Sequence, residues 1–278
     1  MQLSISKIGR YEVERELTQG GMGVIFLARD PYIQRQVVIK VLMYSHTLDD
    51  MYREFFLQEA ELIAALEHPY IVPIYDFGWH GQQPYIVMRY MAGGSLADRL
   101  QKEEIKHTEI SHIFKRIGDA LDAAHARKII HRDVKPSNFL LDSTGEIFLS
   151  DFGIAKSKAF TDDDGTWLVG TPAYMSPEQV KGNEVDARAD VYALGIVLYR
   201  LLSGQLPFSN DSTTALINAH VDLPVPDIRL VKNNIPAVWQ EVVAKAMAKD
   251  PSDRYPTAGD FARDIAEVVS GKWYLRKL

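Results

Sequence analysis

The chain has no cysteine among its 278 residues, so disulfides and thiolate metal sites are excluded outright. That absence fits a reducing compartment. It also lacks any excess of basic charge. Lys and Arg number 31 against 37 Asp and Glu, giving a net charge of −6 and an isoelectric point near 5.8. This argues against nucleic-acid binding driven by overall charge. Long apolar runs are missing too. The longest run worth a membrane test, residues 191–202, is 12 residues long and holds Arg200. Spanning a bilayer takes roughly 20, so the run reads as a buried helix. The N-terminus, Met1-Gln2-Leu3-Ser4-Ile5-Ser6-Lys7, lacks the apolar stretch of a secretion signal. The eight His residues show no metal-ligand spacing, and no repeat or low-complexity tract is evident.

What is present suits a folded domain. A hydrophobic content of 46% supports a core, and 24% charged residues is ordinary for a soluble globular protein. The length allows one or two domains. The first third is strand-rich: runs at 11–17 and 24–28 flank a glycine-rich turn, and 36–42 follows as a β-branched run. Residues 51–66 carry Phe55, Leu62, Ala65 and Leu66 at helical spacing and end at His68-Pro69. Residues 71–77 and 84–88 are strand-like again. After Ala92-Gly93-Gly94 the texture turns helical. Ser95 is an N-cap candidate with Asp98 in a capping-box position, and 110–126, 189–202 (stopped by Ser203-Gly204), 237–248 and 257–269 read as helices. A small sheet-plus-helix lobe joined through a glycine hinge to a larger helical lobe is an α+β arrangement. The cleft between two such lobes is a natural ligand site.

The densest chemistry lies in His131-Arg132-Asp133-Val134-Lys135-Pro136-Ser137-Asn138 and Asp151-Phe152-Gly153. Asn138 stands five positions after Asp133, and Asp151 stands 18 after it. These residues offer a carboxylate to orient a hydroxyl, an amine for phosphate charge and oxygen ligands for Mg²⁺, which are the needs of phosphoryl transfer. Singly, Asp and Asn are common in turns and caps. The ordered set at this spacing resembles the catalytic and metal-binding loops of the protein-kinase family. The resemblance implies an α+β, two-lobed protein-kinase fold. It implies a catalytic domain over residues 8–270, with an N-lobe at about 8–91 and a C-lobe at about 92–270. A basic tail, 271–278, would begin a juxtamembrane segment if the protein continues.

By the same resemblance, Asp133 orients the substrate hydroxyl or accepts its proton, Lys135 stabilises charge on the γ-phosphate, and Asn138 and Asp151 bind Mg²⁺. Val37-Val38-Ile39-Lys40 resembles the strand whose lysine meets the α- and β-phosphates of ATP. Glu59, 19 residues after Lys40, resembles the helix glutamate that pairs with that lysine, with Glu54 and Glu61 as rival acids. Gln19-Gly20-Gly21-Met22-Gly23-Val24-Ile25 resembles the glycine-rich loop over the phosphates. Thr18 stands where the family has its first glycine, and an extended backbone would spare it strain. Pro84-Tyr85-Ile86-Val87-Met88-Arg89-Tyr90-Met91 resembles the strand running into the hinge, with Met88 as gatekeeper and the backbones of Arg89 and Met91 bonding adenine. The family usually has Glu at Arg89; backbone atoms make the contacts, so the departure matters little. Val38 replaces a common alanine over adenine and tightens the pocket ceiling. Leu17, Gly20, Gly21, Met22, Gly23, Ile25 and Leu140 complete the implied nucleotide site.

Met175-Ser176-Pro177-Glu178 stands where the family has A-P-E, with Glu178 expected to pair with Arg254. Asp190 is expected to cap a buried helix and hold the catalytic-loop backbone. Lys135-Pro136-Ser137-Asn138 resembles the serine/threonine kinases, since tyrosine kinases differ at Lys135. The Gly-Gly-Met-Gly run, the segment Gly170 to Glu178 and Asp250-Pro251-Ser252-Asp253-Arg254-Tyr255 resemble the bacterial eukaryotic-like (Hanks-type) serine/threonine kinases. This implies ATP- and Mg²⁺-dependent phosphorylation of Ser/Thr in protein substrates, with autophosphorylation of the loop between Asp151 and Glu178. Thr166 is favoured there over Thr161 and Thr171. The alternative is a pseudokinase scaffold that binds nucleotide without turnover, against which Lys40, Asp133, Asn138 and Asp151 are all present. No nucleic-acid partner is expected. The family supplies two further expectations: an N-lobe homodimer, across which Arg10 and Asp76 are opposite charges that could meet, and a cytoplasmic domain, free or part of a membrane-anchored receptor kinase if a further C-terminal segment supplies the anchor.

Overall fold

The β-branched runs at the start of the chain pair into one antiparallel sheet. The computed structural model describes residues 5–20, 23–42, 50–103, 105–152 and 172–273. The chain divides into two units, Met1–Glu67 with Ile71–Ala92, and His68–Tyr70 with Gly93–Leu278. In the first unit the strands are β1 (Lys7–Ile8), β2 (Tyr11–Gly20), β3 (Gly23–Asp30) and β4 (Arg35–Leu42); helix α1 (Asp50–Ala64) follows, then β5 (Ile74–His80) and β6 (Gln83–Arg89). The sheet order is β1-β2-β3-β4-β6-β5. Period-two alternation gives the sheet two distinct faces. One carries the apolar cluster of Ile8, Tyr11, Phe26, Ala28, Val37, Ile39, Val41, Tyr85 and Val87. The other carries Ile25, Val38, Lys40 and Met88. Phe56 of α1 meets Trp79 of β5 edge-on at 5.5 Å, which docks the helix on the last strand. Thr18 lies within β2, opposite Ile25, so it has the extended backbone that spares it strain.

Arg10 and Asp76, placed across an interface by sequence reasoning, meet within one chain. An Arg10 Nη1 contact to Asp76 Oδ2 measures 3.1 Å, and Nη2 lies 3.3 Å from the buried Asp30. Tyr11 Oη also donates to Asp76 at 2.9 Å. The pair is thus engaged without a second copy.

The second unit is mostly helical. It contains α2 (Leu96–Leu100), α3 (His107–His125), the hairpin β7 (Phe139–Leu141) and β8 (Ile147–Leu149), then α4 (Pro177–Val180), α5 (Arg188–Ser203), α6 (Thr213–Asp222), α7 (Ala237–Ala246) and α8 (Ala258–Val269). Ser95 and Asp98 form the expected capping box on α2. Every residue of α5 from 189 to 199 is buried, as befits a helix apolar on all sides. It stops at Gly204, whose φ of 80° a residue without Cβ adopts at no steric cost. Around it, α3 and α8 pack through Phe114 and Phe261, 5.5 Å apart and edge-on. The Asp122 carboxylate of α3 accepts from the first backbone N–H groups of α8, at Ala258 (3.0 Å) and Gly259 (2.9 Å).

Candidate active site

In the first unit four of the implied nucleotide residues, Ile25, Val38, Lys40 and Met88, gather on the face of the sheet opposite the apolar cluster. Lys40 sits opposite Ile25 on one side and Ile86 on the other, and Val38 sits between Leu27 and Met88. Directly paired residues of an antiparallel ladder share a face, so Ile25, Val38, Lys40 and Met88 form one patch. Lys40 and Val38 are half-buried there, while Met88 and Met91 are buried and Arg89 is half-buried. Leu17 is half-buried in β2. Gly20 ends that strand, and Gly23 opens β3 with the peptide so close to β4 that a Cβ would lie 2.1 Å from the Val41 carbonyl oxygen. Gly21 and Met22 lie outside the described residues. On α1, Glu59 is half-buried, whereas Glu54 and Glu61 are exposed.

The second unit brings three of the chemistry-bearing residues into direct contact. Lys135 Nζ lies 2.9 Å from Asp133 Oδ2. Asn138 Nδ2 donates to the Asp133 carbonyl at 2.7 Å and to its Oδ2 at 3.2 Å. Asp133 and Asn138 are buried. Both donors converge on one carboxylate oxygen, which fixes the carboxylate's rotation. A tight turn, Pro136–Asn138, creates this arrangement. The Asn138 carbonyl in turn accepts from Ser150 N (2.9 Å) and Ser150 Oγ (3.0 Å), which places Asp151 one residue from a bond to Asn138. Leu140 is half-buried in β7.

His131 supplies the frame. Its Nδ1 accepts from Asp133 N at 3.2 Å and its Nε2 lies 2.9 Å from the Ser150 carbonyl. A carbonyl only accepts, so the proton sits on Nε2 and the ring is the neutral tautomer. The ring is fully buried and packs against Phe152, the two rings tilted by 46° with centroids 4.7 Å apart. Two residues of this loop hold the left-handed backbone, Arg132 at φ 62° and Asp151 at φ 60°. Such strain persists only where surrounding bonds over-determine it.

Asp190 does much of that holding. Its carboxylate accepts from His131 N (2.9 Å), Arg132 N (2.8 Å) and His125 Nε2 (2.7 Å). It is not the helix cap expected from sequence: α5 begins at Arg188, and Asp190 lies inside the first turn with its side chain turned to the loop. Burial alone would push this carboxyl up, but the hydrogen bonds from His125 and the His131 backbone hold it below the ordinary carboxylate range. A group with a depressed folded value binds its proton more readily when unfolded. Its stabilisation is therefore complete above the unfolded value of roughly 4 and is lost as pH falls through the folded one. The urea-midpoint gap between wild type and Asp190→Ala should be widest near neutrality and narrow below about pH 4. A gap that widens on acidification would contradict this role.

The segment that carries Glu178 and Gln179 is tied back to the second unit's core and to the loop at 131–138. Glu178 accepts from Arg254 Nη1 at 2.6 Å and Nη2 at 2.8 Å, both side chains being buried, as expected. Gln179, to which sequence reasoning assigns nothing, donates to the Arg132 carbonyl at 3.3 Å. The only sequence signal is its place three residues after Ser176, a capping-box spacing.

A family model described as the protein kinase domain matches residues 11–273. The chain belongs to the protein kinase family. Among curated relatives, this kinase domain is 38% identical over 259 residues to the serine/threonine-protein kinase PrkC of Bacillus subtilis, covering 92% of this chain and 40% of that protein. It is 40% identical over 272 residues to the serine/threonine-protein kinase PknB of Mycolicibacterium smegmatis, covering 95% and 43%. The chain thus spans less than half the length of these relatives. The crystal structure of the Mycobacterium tuberculosis PknI kinase domain superposes with a TM-score of 0.76 at 30% identity, covering 94% of this chain and 97% of that one. The kinase fold read from the sequence is therefore established, with the sheet unit as N-lobe and the helical unit as C-lobe. Thr161, Thr166 and Thr171 lie outside the described residues, and no helix among the described residues is long and apolar enough to cross a membrane.

Proposed function

We propose that this kinase domain transfers the γ-phosphoryl group of ATP to serine or threonine hydroxyls of protein substrates. The observation that carries the reading is the Asp133 carboxylate, buried and fixed by Lys135 at 2.9 Å and Asn138 at 3.2 Å. Held this way, it orients an incoming hydroxyl and accepts its proton. The Lys135 ammonium sits beside the same carboxylate and offers positive charge to the transferring phosphoryl group. Lys40, half-buried on the sheet face with Ile25, Val38 and Met88, takes the nucleotide phosphates. Glu59 is the acid best placed to orient it, because its rivals Glu54 and Glu61 are exposed.

The donor set also suits Mg²⁺. Asn138 spends its amide N–H bonds on Asp133, which turns its Oδ1 the other way, and Asp151 adds a carboxylate; both are the hard oxygen ligands this ion takes. When bound, Mg²⁺ neutralises phosphate charge. Asp151→Asn should weaken nucleotide binding in the presence of Mg²⁺ by about tenfold or more, and much less in EDTA. Titration of a fluorescent ATP analogue under both conditions checks this. Equal affinities for wild type and variant with Mg²⁺ would remove Asp151 from the metal site.

A further inference from the structure

The peptide between Arg132 and Asp133 is the last backbone unit before the residue that orients the hydroxyl. Its two polar ends are both bonded to side chains. The Asp133 N–H donates to His131 Nδ1 at 3.2 Å, and the Arg132 carbonyl accepts from Gln179 Nε2 at 3.3 Å. Arg132 itself is left-handed at φ 62°, a conformation that costs a bulky residue free energy and relaxes unless held. Asp190 fixes the N–H of Arg132 at 2.8 Å. Gln179 engages the carbonyl on the other side of the same residue.

Gln179 is well suited to this because its own amide is oriented. Its Oε1 accepts from Ser176 N at 3.0 Å and from Ser176 Oγ at 3.1 Å, while Ser176 Oγ accepts from Gln179 N at 3.4 Å. Two donors on Oε1 settle which end of the amide is which, so Nε2 faces the Arg132 carbonyl. Ser176 is fully buried. Its neighbour Glu178 is clamped by Arg254, so Gln179 projects from a fixed helix start. We infer that Gln179 is a positioning residue for phosphoryl transfer: it locks the Arg132–Asp133 peptide plane and thereby the direction of the Asp133 side chain. The inference rests on the reading of Asp133 given above.

The test is steady-state phosphorylation of a short serine-containing peptide by wild type, Q179E, Q179M and Q179A, with thermal midpoints for all four. Q179E is nearly isosteric and retains the acceptor for Ser176, but at neutral pH it has no donor for the Arg132 carbonyl. Its kcat should fall about tenfold, with KM for ATP within about twofold of wild type and little change in Tm. Lowering the pH protonates the introduced carboxyl and restores a donor, so the Q179E deficit relative to wild type should narrow. Q179M and Q179A lose both the cap and the donor. Their kcat should fall as far as that of Q179E while their Tm drops further. Wild-type kcat in Q179E, or kcat losses that simply follow Tm across the three variants, would overturn the inference alone. An inactive wild type would overturn the kinase reading beneath it as well.

Discussion

Asp133→Asn is expected to bind ATP nearly as wild type does and to lose turnover by about 10²–10⁴-fold, the range set by removing a positioned proton acceptor. The substitution preserves size, and the new amide oxygen still accepts from Lys135, which lies 2.9 Å from the native carboxylate. The local fold has little reason to change. What disappears is the basic oxygen proposed to take the hydroxyl proton, together with the charge that holds Lys135 in place. The loss should therefore appear in kcat and leave KM for ATP largely unmoved. Nucleotide affinity by fluorescence titration and kcat by peptide phosphorylation separate the two effects. Substantial activity in Asp133→Asn would show that proton transfer does not run through this residue.

Glu178→Ala should produce the largest loss of stability. Arg254 spends its whole guanidinium inside the C-lobe. Nη1 and Nη2 hold Glu178, Nε donates to the Ala248 carbonyl at 2.8 Å, and the remaining donors reach the carbonyls of Arg188 (3.0 Å) and Lys249 (3.1 Å). Its side chain is 0% exposed and that of Glu178 is 8% exposed. Removing the acid leaves a cation desolvated and uncompensated, which costs about 3–5 kcal/mol. At this chain length that is a fall in Tm of about 10 °C, measurable by differential scanning fluorimetry. Arg254→Lys should destabilise in the same direction, because an ammonium cannot reproduce the bidentate fork. A shift of only a degree or two in Glu178→Ala would mean the pair is dispensable to the fold.

The parts of this structure that are legible in the sequence are those where one physical signal dominates. The helix over 189–202 shows itself by unbroken apolar residues and a terminating glycine, and α5 runs Arg188–Ser203. The capping box at Ser95 follows equally directly, whereas the Glu178–Arg254 pair is legible only through the resemblance to the kinase family. The strand expected at 71–77 lies at Ile74–His80 instead. Pro73 has no N–H for the ladder, and the strand begins just beyond it. Helix α3 starts at His107, before the apolar pattern begins at Ile110, because exposed first-turn residues carry no periodic signal. Helix α6 escapes sequence reasoning: its one buried residue is the polar His220, which gives no apolar stripe, and its one clear mark is Ser212, whose hydroxyl accepts from Ala215 N. The β7–β8 hairpin is legible in principle from Phe139-Leu140-Leu141, a turn through Gly145, and Ile147-Phe148-Leu149.

At the candidate site, the residue types proposed for phosphoryl transfer are readable because chemistry restricts them to a short, ordered set. The supports are not. His131 stands inside the recognised stretch, yet only the fold brings it to the Ser150 carbonyl, the acceptor that assigns its tautomer. Asp190 is expected to hold the loop from a helix cap and does so from within the first turn. Gln179 reaches Arg132 across 47 residues of sequence, and no local pattern encodes a bond of that length.

The most direct test of the kinase reading is incubation of the purified wild-type domain with γ-³²P-labelled ATP and Mg²⁺, with a generic protein substrate and Asp133→Asn protein as control. The expected result is label on phosphoserine or phosphothreonine after acid hydrolysis, dependent on Mg²⁺ and absent from the control. Nucleotide binding by the wild type with no transferred label would contradict it and identify the domain as a binding scaffold.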